Sequence, residues 1–471
     1  MMKKARKFMA LVLTLLMVAG LTTGCISSYV NNETSTEAKT EATKGTEAAG
    51  PTEAQPTAAE SSEATKAEES ETAGTDIAGT KLEVWYAVSG NSGEKFQEIS
   101  DRFAKANSVT LEMSYSGGSA DTATKVSSAL LTDTYPDVAL MYAGPLYTGE
   151  RDDFFVGEQM DADAEFGKAD FFEGMLDYCV YMGKGICAAP YGISTQVMYY
   201  NKDILKAAGV DMTNPPKTWA EFKEVCKTVL EKGNVNNTAD FTAFDTSDEA
   251  WLFKSMLMQN GCSIVEKNGE DIKAIFNNEK AIEVAEYWES LVKDGIMASA
   301  EHNNAENKFL SGNLAFMAAT SNRISRWVGT TSFELGAIEM PYFNQPSLAL
   351  GGNVLVILTQ DPVKKAAAWE YVKYLTNAEN STEFALATGY LPTHKSAVSG
   401  QACQTALATN ELYGVAFKQL DYTWAYTHFS AMGTMDTQIK SALGKLEKGR
   451  GTAKDLFDKA VKAVQNEIDD Q

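Results

Sequence analysis

From Leu82 onward the chain alternates strand-like and helix-like stretches, and that alternation restricts its fold more than any other feature. Leu82-Glu83-Val84-Trp85 is a short strand-like run. Phe96, Ile99 and Phe103 then recur at spacings of three and four, which predicts one face of a helix from about Gly93 to Ala106. Val109 to Tyr115 alternates again, with Leu111, Met113 and Tyr115 on one side. A Ser116-Gly117-Gly118 turn follows, then a second helical stretch to about Leu131. Tyr135-Pro136-Asp137 introduces Val138-Ala139-Leu140-Met141, a run suited to a buried strand. This βαβαβ order predicts an α/β lobe with a largely parallel sheet. In such sheets ligands sit beyond the carboxyl ends of the strands. Those ends are Ala87–Asn91, Ser116–Ser119 and Met141–Gly144, which offer Ser, Asn, Gly and Tyr in place of acid–base side chains.

The N-terminal part has a different character. Lys3, Lys4, Arg6 and Lys7 precede an apolar run from Phe8 to Ala19, too short to span a bilayer, and small residues follow. That is the pattern of a secretory signal peptide, here over residues 1–24. Leu21-Thr22-Thr23-Gly24-Cys25 resembles the bacterial lipobox, although Thr22 stands where an aliphatic residue is usual. The resemblance implies acylation of Cys25 and attachment to the membrane. From about Asn31 to Gly79 the chain is nearly all Thr, Glu, Ala, Ser, Lys and Gly, with no aromatic residue and Ile77 as its one aliphatic residue beyond alanine. Such a stretch cannot bury enough apolar area to offset ordering, so residues 25–79 are expected to act as a disordered tether.

Roughly 390 residues remain beyond the tether, too many for one hydrophobic core and enough for two lobes. The formal charge of −22 with scattered cations argues against nucleic acid, which requires a clustered basic face. Beyond Cys25 the cysteines are Cys179, Cys187, Cys226, Cys262 and Cys403, an odd set without CxxC spacing. They read mainly as small buried residues, with a Cys179–Cys187 bridge as the lesser alternative. His302, His394 and His428 lie far apart, and no nucleophile elbow, zinc-protease helix or phosphate loop occurs. A binding role is therefore expected, not an enzyme, with no metal and no cofactor.

Later helices declare themselves by caps and faces. Thr218 with Glu221 three residues on forms a capping box after Pro215-Pro216-Lys217. Ala285, Trp288, Leu291 and Val292 form one apolar face, and Ala368, Tyr371, Val372 and Leu375 another. Phe457, Val461, Val464 and Ile468 form a third.

Five segments, taken in order, carry a resemblance to a known family. They are Tyr191-Gly192-Ile193-Ser194-Thr195-Gln196-Val197-Met198-Tyr199-Tyr200-Asn201-Lys202-Asp203 running on to Trp219, and Phe309-Leu310-Ser311-Gly312-Asn313-Leu314-Ala315-Phe316-Met317. Met340-Pro341 with Gly351-Gly352, Ala368-Trp369-Glu370-Tyr371-Val372-Lys373-Tyr374-Leu375 and Thr388-Gly389-Tyr390-Leu391-Pro392-Thr393 complete the set. Together they resemble the extracellular solute-binding proteins of ABC sugar importers, the family of the maltose- and glycerol-phosphate-binding proteins.

The resemblance implies a type II, two-lobed periplasmic-binding-protein fold with a ligand cleft between lobes. The chain would cross between lobes three times, near Pro190–Thr195, Gly351–Asn353 and Tyr390–Thr393. Lobe I would take residues 80–192 plus 353–392, and lobe II 193–352 plus 393–471. By position against the family pattern, the first lobe would contact ligand through Ser89, Gly90, Asn91, Gly118, Ser119, Met141 and Tyr142. The second would use Trp251, Ser321, Asn322, Arg323, Gly351, Gly352, Gly433 and Met435. Trp251 and Tyr142 are the expected stacking faces, while Trp85 and Trp219 are assigned to packing.

The ligand implied is a small carbohydrate, delivered by a monomeric, membrane-anchored binding protein to an ABC permease. Phosphate-binding relatives carry an arginine in the loop that reads Met432-Gly433-Thr434-Met435 here. A neutral mono- or oligosaccharide is thus favoured over glycerol 3-phosphate or a glycerophosphodiester. A surface adhesin or a catalytic lipoprotein is the more remote reading.

Overall fold

The computed structural model describes residues 76–142, 154–181, 184–234, 237–268, 271–299, 302–425, 428–429 and 431–470. The signal peptide, Cys25 and most of the expected tether lie outside the described residues. Its last four residues already belong to the fold: Gly79 N–H bonds to the Ser108 carbonyl (2.8 Å), and Ile77 packs against the first core. No helix among the described residues is long and apolar enough to cross a membrane.

In chain order the elements that build the two sheets are β1 (Lys81–Tyr86), α1 (Asn91–Asn107), β2 (Thr110–Tyr115), α2 (Ser119–Leu130), β3 (Val138–Met141), β4 (Ala189–Ser194), β5 (Gln196–Asn201), α3 (Trp219–Lys232), β6 (Thr242–Thr246), α4 (Glu249–Gln259), α5 (Glu279–Lys293), β7 (Leu314–Thr320), α6 (Arg323–Trp327), β8 (Leu335–Ile338), β9 (Leu348–Ala349), β10 (Gly351–Ile357), α7 (Pro362–Thr376), α8 (Ala378–Thr388), β11 (Thr423–Trp424), α9 (Met432–Glu447) and α10 (Ala453–Asp469). The first sheet has the order β2-β1-β3-β10-β4, and the second β8-β5-β7-β6.

Each sheet contains one reversed strand, and the reason is the crossing of the chain. In the first sheet β1, β2 and β3 are parallel, while β10 runs antiparallel to both β3 and β4. In the second, β6 and β7 are parallel and β5 is antiparallel to β7 and β8. β4 runs straight on through Thr195 into β5, so a strand that arrives at the junction in one sheet must leave it in the other. β10 likewise begins at the junction, with Gly351 opposite Ser194 and Gly352 opposite Ile193. The remaining strands, β1, β2 and β3 on one side and β6 and β7 on the other, therefore all point their carboxyl ends at the junction.

Strand alternation divides the first sheet's side chains between two layers. Leu82, Val84, Val138, Leu140, Leu355 and Ile357 face Phe96, Ile99 and Phe103 of α1 and Tyr371 and Leu375 of α7. Trp85, Ala139, Met141, Val354 and Val356 belong to the other core, with Ala123, Val126 and Ala129 of α2. The second sheet is buried throughout β5 and β6 and through Ala319 of β7, behind helices whose buried side chains include Trp219, Phe222 and Trp288.

The predicted capping box is present: Glu221 N–H bonds to Thr218 Oγ1 (3.2 Å) and Thr218 N–H to Glu221 Oε2 (2.9 Å). Such caps stabilise a helix by about 1 kcal/mol. All five described cysteines are buried free thiols. Cys179 and Cys187 flank the hairpin of Val180–Tyr181 and Gly185–Ile186, joined by a backbone hydrogen bond of 2.9 Å with no sulfur–sulfur bond.

Candidate ligand-binding site

The junction is built from three crossing segments packed backbone to backbone. At Gly352, φ is +108°, and an added Cβ would lie 2.2 Å from the Gly192 carbonyl oxygen, so only glycine fits. At Gly389, with φ +78°, an added Cβ would lie 2.9 Å from the Asn322 Cα. Ser321 N–H bonds to the Thr195 carbonyl (2.8 Å), and Leu391 N–H bonds to the Ile193 carbonyl (2.8 Å). Thus the first crossing at Thr195, the second at Gly351–Gly352 and the third at 389–393 touch one another directly.

Trp251 lies across the second crossing. Asp248 caps α4 by accepting from Trp251 N–H (3.2 Å), which sets the tryptophan in the first helical turn. Its indole Nε1 donates to the Ala349 carbonyl (2.9 Å), and a Cβ on Gly351 would be 2.8 Å from the ring. The ring is half-buried and leaves part of its surface open. On the first lobe Tyr142 is half-buried and meets His428 edge to face, with ring centres 6.2 Å apart. His428 also packs on Tyr178 at 4.8 Å, and Tyr178 Oη donates to the Gly352 carbonyl (3.4 Å). Burial pushes the His428 imidazole down to about pKa 3, helped by the nearby Lys254 ammonium, so it is neutral at physiological pH.

The other predicted positions divide into exposed loops and core. Ser89, Gly90 and Asn91 are exposed at the start of α1, where the Asn91 amide already donates to the Ala387 carbonyl (2.7 Å). Gly118 and Ser119 are half-exposed at the start of α2. Gly433 is exposed with open space around it. Met141, Ser321 and Met435 are wholly buried, a correction to their expected place on the ligand surface. Strand alternation turns Met141 into the core beneath α2, and the helical period places Met435 with Met432 and Ile439 on the core face of α9. Asn322 is half-buried beside Arg323, whose guanidinium is held by Glu306 at 2.9 Å.

Two residues that the sequence reading passed over stand in this region. Asp436 lies three residues after Gly433 on the same side of α9 and keeps about a third of its side chain exposed (32%). Lys254, on α4 one turn after Trp251, is almost wholly buried (2%), with Nζ 2.7 Å from Asp436 Oδ1. A helix-face count starting from Gly433 was the signal available for Asp436. A second rung, Lys440 to Asp248 at 3.3 Å, joins the same two helices.

Residues 98–410 match the family model described as bacterial extracellular solute-binding protein. The chain belongs to that family. Among curated relatives, the sn-glycerol-3-phosphate-binding periplasmic protein UgpB of Salmonella typhimurium is 24% identical over 335 residues, covering 66% of this chain and 74% of that protein. Among solved structures, UgpB from Mycobacterium tuberculosis in complex with glycerophosphocholine superposes with a TM-score of 0.72 at 23% identity, covering 83% of this chain and 99% of that one. The cyclic alpha-maltosyl-1,6-maltose binding protein from Arthrobacter globiformis gives a TM-score of 0.66 at 21% identity, covering 82% and 98%. The fold of this solute-binding protein is thus the two-lobed α/β fold of those structures. Members of the family are binding proteins, which agrees with a site that presents hydrogen-bonding groups and aromatic faces.

Proposed function

We propose that this solute-binding protein captures a neutral mono- or oligosaccharide in the cleft between its lobes and delivers it to the membrane permease of an ABC importer. Lobe I comprises residues 80–192 with 353–392, and lobe II residues 193–352 with 393–471. The protein works as a monomer, held on the outer face of the cell membrane by acylated Cys25 and a tether to residue 79. Ligand contacts fall on the exposed and half-exposed members of the predicted set: Ser89, Gly90, Asn91, Gly118, Ser119, Tyr142, Trp251, Asn322, Arg323, Gly352 and Gly433. Amides, hydroxyls and backbone groups suit sugar hydroxyls, and the open parts of Trp251 and Tyr142 suit the C–H faces of a sugar ring.

One observation carries the choice of a neutral ligand. Among the described residues, the cations placed around the second lobe's share of the site are in ion pairs: Arg323 and Arg326 with Glu306 (2.9 and 3.4 Å), Lys254 with Asp436 and Lys440 with Asp248. A phosphate group would require a positive charge left available to it. The relatives named for sn-glycerol 3-phosphate and the complex with glycerophosphocholine favour a second reading, a glycerophosphate ligand.

Calorimetric titration with maltose, raffinose, sn-glycerol 3-phosphate and glycerophosphocholine separates the two. Under the first reading a saccharide binds with the greater affinity, and Trp251→Ala weakens that binding tenfold or more without loss of fold. An unchanged affinity removes Trp251 from the site. A ligand at a hundred times its dissociation constant also stabilises the protein by about 2.7 kcal/mol, so thermal unfolding reports the same ranking.

A further inference from the structure

Helix α4 is apolar along most of its buried length, yet Ser255 and Gln259 are wholly buried on it, with 0% and 1% of their surface exposed. They follow Trp251 at spacings of four, so the three side chains stand in one ridge along the helix. A buried hydroxyl or amide is costly unless it is hydrogen-bonded, and all three side chains find partners on the same short stretch of chain. Trp251 Nε1 donates to the Ala349 carbonyl (2.9 Å), Ser255 Oγ accepts from the Ala349 N–H (3.1 Å), and Gln259 Nε2 donates to the Ser347 carbonyl (3.1 Å). The ridge thus grips β9 by both backbone groups of Ala349, two positions before Gly351 and the second crossing.

Ser255 also reaches the first crossing. Its hydroxyl donates to Gln196 Oε1 (3.2 Å), and the buried Gln196 is the first residue of β5, directly after Thr195. The Gln196 carbonyl accepts from Gln419 Nε2 (2.8 Å), and Gln419 Oε1 accepts from the Met340 N–H (2.8 Å). A serine hydroxyl has one hydrogen to give. Here it goes to one crossing, while the oxygen takes the N–H of the strand that leads into the other.

From this geometry we infer that Ser255 is a positioning residue of the ligand site. It is wholly buried, so it acts without touching a ligand. It fixes the Ala349 peptide that holds the Trp251 indole, and it locks that peptide to Gln196, so the ring, β9 and both crossings shift as one unit. The contact a ligand makes with the open part of Trp251 is thereby passed to the segments about which the lobes turn. The inference rests on the reading that Trp251 faces the ligand, and it holds for a saccharide or a glycerophosphate alike.

The test combines calorimetry with maltose, raffinose, sn-glycerol 3-phosphate and glycerophosphocholine and amide hydrogen exchange read by mass spectrometry, on the full chain. Expected for Ser255→Ala is a loss of roughly fivefold or more in affinity for whichever probe the wild type binds most tightly, the size of one hydrogen bond. Exchange quickens at 193–197 and at 347–352 together, and Ser255→Thr, which keeps the hydroxyl, stays near the wild type in both measurements. In the double variant Ser255→Ala adds little to the loss caused by Trp251→Ala, whereas a merely structural residue would add its full effect. A Ser255→Ala protein that binds as the wild type does, or in which exchange quickens at 347–352 alone, overturns the inference. Should Ser255→Ala fail to fold, Gln196→Met spares the bond to Ala349 and is expected to lose affinity in the same way; an unchanged affinity there overturns the inference too. A wild type that prefers sn-glycerol 3-phosphate or glycerophosphocholine overturns the saccharide reading and leaves this inference standing. Unchanged affinity in Trp251→Ala does the reverse. If the wild type binds none of the four, the saccharide reading falls and exchange at the two crossings decides the role of Ser255.

Discussion

Replacing His302 with glutamine tests how the second lobe holds its site-bearing elements in place. His302 is nearly buried between two carboxylates, with Nδ1 2.5 Å from Asp245 Oδ1 and Nε2 3.1 Å from Glu447 Oε1. Trp288 Nε1 also donates to Glu447 Oε1 (2.7 Å). Burial alone would disfavour the imidazolium, but the hydrogen bonds to Asp245 and Glu447 outweigh it and raise the pKa to about 10. Asp245 precedes the loop into α4, and Glu447 is the last residue of α9, so this ion cluster ties together the two helices that carry Trp251, Lys254 and Asp436.

The folded-state pKa lies above the unfolded value of about 6.5, so the histidine's contribution is complete below pH 6.5 and is lost as pH rises through about 10. A displacement of that size corresponds to roughly 4–5 kcal/mol, released at about 1.4 kcal/mol per pH unit across the window. His302→Gln leaves two buried carboxylates without a countercharge, a change that typically costs about 3–5 kcal/mol. Urea unfolding followed by tryptophan fluorescence measures the stability gap between wild type and variant. The expected gap is widest near pH 6.5 and shrinks steadily toward pH 10. A gap that stays the same at pH 6.5 and pH 10 refutes a charged histidine in the fold.

Three further outcomes follow from the junction and the cores. Gly352→Ala forces a side chain onto the Gly192 carbonyl at a positive φ and is expected to cost about 3 kcal/mol or more in thermal unfolding, whereas Gly433→Ala meets open space and leaves the melting temperature within a few degrees. Thr195→Val removes a hydroxyl that is buried with no hydrogen-bond partner among the described residues, so it raises the stability of the ligand-free protein by about 1 kcal/mol; a drop in melting temperature counts against that account. Burial pushes the thiols of Cys179 and Cys226 well up and that of Cys403 to about 11, so a disulfide reagent at pH 8 reacts slowly with the native protein and with all five described thiols once it is unfolded; three reactive thiols would instead reveal a Cys179–Cys187 bond.

The first lobe was legible because its signals are local. Phe96, Ile99 and Phe103 mark α1 through a period that burial enforces, and Val138–Met141 is a continuous apolar run because both faces of β3 are covered. Thr218 and Glu221 announce α3 by a chemistry confined to four residues. The reversed strands β5 and β10 could not be read in this way. Their direction is set by which sheet the chain has just left, a fact that no window of sequence contains. Met141 and Met435 show the same limit at the site. Each lies next to a position open to the cleft, and a one-residue step along a strand or helix exchanges core for surface. Asp436 was missed because its meaning depends on Lys254, which lies 182 positions away in the chain.

These placements bear on how such a cleft can be polar without being charged. A site for an uncharged polyol must offer strong, oriented hydrogen-bond groups, and ionised side chains are the strongest available. Left alone, each would select for a counter-ion in place of a hydroxyl. Pairing Lys254 with Asp436, Lys440 with Asp248 and Arg323 with Glu306 places opposite charges side by side and offsets them locally. The neutral His428, held unprotonated by its burial and by Lys254, adds no charge between them. The whole chain's formal charge of −22 acts in the same sense at longer range, since an anionic solute would approach against it while a sugar would not feel it. Under the proposed saccharide reading, local cancellation and distant field favour the same kind of guest, and the ranking of maltose against sn-glycerol 3-phosphate in calorimetry at low and high salt measures the long-range part of that choice.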